Sequence, residues 1–371
     1  MEGVLPQTRF IMSCNATWRS VVLGRLGHRV VGWLHGCHSR SRLLYMSSIV
    51  LRRRLLVTPT RSLLAVVLAI VFVPGVALSD PSATMPDVVQ HDPAPALRPP
   101  ASMEELAILS HNARINGLMY VAAGSGPHPI VIFLHGYPGN ERNLDLAQAA
   151  RRAGYNAIFV DYRGVFGSGG TFSQAHSLED VAALLAWIRA PETVSKYHID
   201  PTRIALVGHS FGAWLALFSV THEPPEVCVA ALAAWNAGWV ANRFAAHPEE
   251  RTENLAYYRE TTDLAGGPIR ANPDELLAEI TDHAAAWNYV SQANALKSRA
   301  LLLVAATHDT SDENPERHAE LAEAIRKEGG KLVRVVTFED DHPFSSHRVA
   351  LADTLTRWLR TDCARTQVPS R

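Results

Sequence analysis

Between Arg203 and Phe218 the chain reads RIALVGHSFGAWLALF. An apolar strand pattern runs into Gly208-His209-Ser210-Phe211-Gly212 and emerges, with no intervening loop, as an apolar helix pattern. So abrupt a reversal brings the flanking residues close together, and side chains at 208 and 212 would clash. That accounts for glycine at both positions and for the small Ala213 that follows. The turn also pushes Ser210 out at the end of the strand and aims the first amides of the helix at the same spot. A buried strand overlaid by a helix is the requirement for such a junction, so it selects a layered α/β fold. A serine hydroxyl is a poor nucleophile on its own. A base must take its proton during attack, and a third group must hold that base's tautomer.

The rest of the chain repeats the alternation. Strand patterns fall at 118–123, 130–134, 157–162, 204–208, 227–235, 300–306 and 332–338. Several are apolar on both faces, as strands covered by two helix layers must be. Helix patterns lie at 144–153, 178–188, 213–221, 315–328 and 348–360. Strand and helix taking turns predicts a mostly parallel central sheet with helices on both faces and right-handed crossovers. One connection breaks the rhythm: about sixty residues separate Trp235 from Ala300, and they include the helical spacing ELLAEITDHAAAWNYV. That is too long for an ordinary loop and reads as a helical insertion between two late strands.

Ligands of open parallel sheets bind beyond the carboxyl ends of the strands, and the polar residues gather there. His135-Gly136-Tyr137-Pro138-Gly139 follows one strand, Arg163-Gly164-Val165-Phe166-Gly167-Ser168-Gly169-Gly170 another, and His308-Asp309 and Glu339–His347 the last two. Ser210 is the candidate nucleophile. For the acid, Asp309 stands directly beyond its strand, with Asp312 as the alternative; for the base, His342 and His347 compete, His342 being nearer the strand end. The backbone amides of Phe211 and Tyr137 are the candidate oxyanion donors. Glu339, Asp340 and Asp341 read as a solvated acidic turn, and His135 and His209 as structural. Trp235, Trp239, Trp287 and Tyr289 read as core packing that could also line a pocket.

HGYPG, DYRGVFGSGG, GHSFG, THD and DDHPFSSHR together resemble the α/β-hydrolase fold, over about residues 104–360. The likeness is to its prolyl-oligopeptidase-like, dienelactone-hydrolase-like and serine-aminopeptidase-like branches. It implies a serine nucleophile at Ser210, an acid after the seventh strand at Asp309 and a base after the eighth at His342. It also implies that the insertion, about 238–297, is a helical cap after the sixth strand. The expected activity is hydrolysis of carboxylic esters through an acyl-enzyme, without cofactor or metal. The alternatives are a peptidase acting on short peptides and a non-catalytic hydrolase-fold binding protein.

Charge is unevenly spread. Residues 1–79 hold ten arginines and one acid, Glu2, leaving 25 basic against 35 acidic side chains in the remainder. A folded body at about −10 repels phosphate, which argues against a nucleic-acid partner. Within 46–79, Arg52, Arg53, Arg54 and Arg61 precede an uncharged run that ends in Ala77-Leu78-Ser79, the build of a secretory signal. Its apolar core, Leu63 to Val73, is short against the roughly 20 residues of a membrane span. Export is therefore expected, with an uncleaved membrane anchor as the alternative. Residues 1–45 read as a leader that precedes the true start at Met46, and 80–103, with six prolines, as a linker. Residues 361–371 read as a C-terminal tail. Export would permit a disulfide between Cys228 and Cys363, and a buried free thiol at Cys228 is the other possibility.

Overall fold

A computed structural model describes residues 87–92, 97–262, 268–309 and 314–367. The leader over 1–45, the signal or anchor over 46–79, and Asp312 lie outside the described residues.

An eight-stranded sheet carries the fold, in the order β1-β2-β4-β3-β5-β6-β7-β8. β1 (Ser102–Ser110) and β2 (Ala113–Val121) form a hairpin. The two residues of its turn, His111 and Asn112, both have positive φ, as the turn that matches strand twist requires. β2 also pairs antiparallel with β4 (Asn156–Val160). From β4 onward every pairing is parallel: β3 (His128–Leu134), β5 (Ile199–His209), β6 (Cys228–Leu232), β7 (Leu301–Ala306) and β8 (Val333–Phe338). The mostly parallel sheet is as the sequence predicts. β1 has no counterpart among the sequence-predicted strands. It is an edge strand whose residues alternate between buried (Leu106, Ile108, Ser110) and exposed, with no continuous apolar run to mark it.

The helices are α1 (Leu144–Arg152), α2 (Gln174–Arg189), α3 (Pro191–Tyr197) and α4 (Phe211–Ser219), followed after β6 by the insertion. The insertion holds α5 (Ala237–Arg243), α6 (Pro248–Thr261), α7 (Pro273–Asp282) and a single turn, α8 (Ala293–Leu296). α9 (Asn314–Lys327) and α10 (Arg348–Trp358) complete the set that frames the sheet. Because side chains alternate along a strand, β3 feeds two cores at once. Ile130, Ile132 and Leu134 join Leu184 of α2 and Leu215 of α4 on one face. Val131 and Phe133 join Leu146 of α1 and Leu355 and Trp358 of α10 on the other. The insertion is tied to this body by α7: the Glu279 carboxylate accepts from the amides of Gln174 (2.8 Å) and Ala175 (3.2 Å) at the start of α2. A carboxylate there meets unpaired N–H groups and the positive end of the helix dipole.

The expected C-terminal tail is helical as far as Thr366, and Cys363 is bonded to Cys228 at the start of β6. That disulfide closes a loop of 135 residues over β7, β8 and everything between. Reducing it is expected to lower the unfolding free energy by about 2–4 kcal/mol, read as a fall in the urea midpoint with reductant that is absent in a Cys228→Ser/Cys363→Ser protein.

Candidate active site

The turn at Ser210 has the predicted tightness. A Cβ on Gly208 would lie 2.1 Å from the Gly212 carbonyl oxygen, and one on Gly212 would lie 2.1 Å from the oxygen of Leu134. Ser210 itself has φ 56° and ψ −120°, left-handed backbone that costs a non-glycine residue roughly 1–2 kcal/mol. The surroundings hold it there. Its N–H donates to Leu232 (2.9 Å), and its carbonyl accepts from Trp235 (3.2 Å) and from the first turn of α4.

Beside the serine runs the loop after β3. Gly136 keeps it close: a Cβ there would stand 3.0 Å from that of Ser210. Among the described residues, neither the Tyr137 amide nor the Phe211 amide donates to another protein group. The Tyr137 ring is fixed from several sides, by a 2.6 Å hydroxyl contact with Thr261 and by the rings of Phe172 and Tyr258. His135, just ahead, donates Nδ1–H to the Gly136 carbonyl (2.7 Å), and burial pushes its pKa down to about 4. It is a neutral buttress of the loop.

The two histidines that compete in the sequence are separated by their partners. His342 Nδ1 lies 2.6 Å from Asp309 Oδ2, and His347 Nδ1 lies 2.9 Å from Asp340 Oδ2. Ser210, Asp309, His342, Tyr137 and Phe211 all line one cavity of about 780 Å³; His347 is not among its walls. His209 donates Nε2–H to the His342 carbonyl (2.9 Å), and its ring lies 4.7 Å from that of His342. Burial, with the nearby His342, holds the His209 pKa at about 3, so it remains neutral. The far wall comes from the insertion: Trp239 and Arg243 of α5, and Glu253 and Tyr257 of α6. Trp287 and Tyr289 lie outside this cavity, Trp287 packing on Trp214 and His283. Among the described residues no cluster of side chains is arranged to ligate a metal.

One residue differs from its sequence-based reading. Asp340 is not part of a solvated turn: it is 4% exposed and organises the loop that carries His342. Its carboxylate accepts from the amides of Asp341 and Ser346 and from His347. Only folding could reveal this, because three consecutive acids look alike in the sequence. Burial alone would raise the Asp340 pKa, but the hydrogen bonds from His347, Asp341 and Ser346 hold it at about 2. A carboxyl depressed on folding stabilises above its unfolded pKa of about 3.9 and loses that contribution as pH falls toward the folded value. Asp340→Asn is therefore expected to lower the urea midpoint at pH 7, with the gap to the parent protein closing as pH falls from about 4 toward 2. Gly212→Ala is expected to cost more than about 3 kcal/mol, since backbone and not a movable side chain fills the space, read by thermal melting and soluble yield.

The comparisons with known proteins agree with this fold. A model of the alpha/beta hydrolase family matches residues 131–354, which is 224 of the 371 residues. A Mycobacterium tuberculosis protein is 28% identical over 131 residues, 35% of this chain and 45% of its own length. The lysophosphatidylserine lipase ABHD12 of Danio rerio is 29% identical over 100 residues, 26% of this chain and 24% of its own length. The matched region thus spans less than half of either relative. In fold, the chain resembles an esterase of Pyrococcus furiosus, with a TM-score of 0.51 and 19% identity over 70% of this chain and 91% of that one. With its glycine-bracketed serine at the carboxyl edge of a mostly parallel sheet, the chain belongs to the alpha/beta hydrolase family.

Proposed function

We propose that the protein is a serine hydrolase that cleaves carboxylic esters through an acyl-enzyme. The observation that carries this reading is the 2.6 Å contact of His342 Nδ1 with Asp309, inside the cavity that Ser210 also lines. With Nδ1–H donated to the carboxylate, the Nε2 lone pair of His342 is left to act as a base. Ser210 Oγ attacks the ester carbon while its proton passes to Nε2. The amides of Tyr137 and Phe211 hold the oxyanion, a pair of donors each worth about 3 kcal/mol in such sites. The C–O bond then breaks, the alcohol leaves with the proton from His342, and water deacylates the serine by the same route. The Asp309 side chain is 1% exposed, so its charge acts on the imidazolium through a poorly screening medium.

The likeness to an esterase fold and to a lipase supports ester over amide substrates. One feature favours the second reading, a peptidase on short peptides. Glu253 faces the cavity with no ion pair among the described residues, and a carboxylate there would suit a free amine. Export through the segment at 46–79 is part of the proposal, and the Cys228–Cys363 bond fits an oxidising compartment.

A fluorophosphonate should label the folded protein, with no label on Ser210→Ala; an unlabelled parent protein would leave only the binding-protein alternative. His342→Ala should lower kcat/KM by about 10⁴ or more. His347→Ala should stay within about tenfold, having lost one hydrogen bond outside the cavity. The reverse pattern would overturn the choice of base. Acyl esters assayed against aminoacyl amides separate esterase from peptidase.

A further inference from the structure

We propose that His318 and Asn314, on α9, are positioning residues that hold the Ser210 turn in place by clamping the backbone of Ala234. This rests on the reading of Ser210 as nucleophile. The segment Leu232–Trp235 grips the serine from both sides: Leu232 accepts its N–H and Trp235 donates to its carbonyl. Beyond Leu232, the last residue of β6, that segment is not strand. Ala233 has φ 44°, a strained conformation for a residue with a side chain. Ala234, between the strained residue and Trp235, is held by side chains alone. Its N–H donates to His318 Nε2 (3.2 Å), and its carbonyl accepts from Asn314 Nδ2 (3.2 Å).

Both side chains are completely buried. His318 Nδ1 and Asn314 Oδ1 have no hydrogen-bond partner among the described residues, and the bonds seen there for the two side chains are those to Ala234. Burying two polar side chains half-satisfied is costly, and an apolar pair would fill the space more favourably. The cost has a return at the active site. In the chain, α9 begins at Asn314, five residues after Asp309, and its side chains reach the backbone beside the nucleophile. His318 must be neutral to accept from Ala234, and burial keeps it so, lowering its pKa to about 4.

His318→Leu, His318→Gln and Asn314→Leu test the clamp, Gln keeping an acceptor near the Nε2 position. We expect His318→Leu to lower kcat on an acyl ester roughly 10- to 100-fold, as a small misplacement of a reacting group does, with KM within twofold. His318→Gln should recover most of that loss, and Asn314→Leu should behave like His318→Leu. Amide hydrogen exchange of the peptide covering Ala234 and Trp235 should quicken in both leucine variants. This readout needs no catalysis, so a parent protein that fails to react with fluorophosphonate would sink the hydrolase reading and still leave the clamp open to measurement. Unchanged exchange in a folded leucine variant, or a kcat loss that Gln does not restore, would overturn the proposal. Should His318→Leu not fold, His318→Gln and Asn314→Leu decide by the same exchange and kcat readouts.

Discussion

The Gly212 backbone rests against the carbonyl of Leu134, and Gly208 rests against Gly212, with no space for a methyl group at either place. From this contact the geometry of the site follows. It sets α4 directly on the end of β5 and beside the end of β3. It therefore brings the Tyr137 loop, which continues β3, next to the first amide of α4. Ser210 lies at the apex in left-handed backbone, held there by its bonds to Leu232 and Trp235.

Around this fixed point the other loops are held by buried polar groups. Asp340 gathers the loop after β8, His209 ties the carbonyl of His342 to the end of β5, and His135 braces the loop after β3. Their charge states suit that work. Asp340 is held ionised by its donors, while burial keeps His135, His209 and His318 neutral. Of the histidines at this edge of the sheet, His342 is the one with its Nδ1 bonded to the buried Asp309 and its ring on the cavity. His347 has a carboxylate partner too, Asp340, but stands outside the cavity, so it is the two features together that mark His342 as the candidate base.

The strands buried on both faces were legible because continuous apolar runs leave few other options. β1 was not, since an edge strand with one wet face carries only a weak alternation. The same contrast holds in the site. Ser210 and Phe211 stand out as candidates by local spacing, because a tight turn has a local signature, and Tyr137 by its loop after the neighbouring strand. Asp309 and His342 could be narrowed to strand ends and to two candidates each. Pairing them is a contact across 33 residues, and local pattern does not encode it. The clamp of Asn314 and His318 on Ala234 lies 80 and 84 residues apart and had no sequence signal at all.

By itself, then, the sequence determined the layered sheet, the glycine-bracketed serine and the strand ends where partners must lie. Those features follow from periodicity and from the space one turn allows. Only the tertiary structure decided that His342 faces Asp309 while His347 faces Asp340, that Asp340 is buried, and that Cys228 meets Cys363. It also decided which side chains of the insertion face the serine. Each of these depends on the packing of distant segments, where burial and hydrogen-bond geometry select one partner from several chemically equivalent ones.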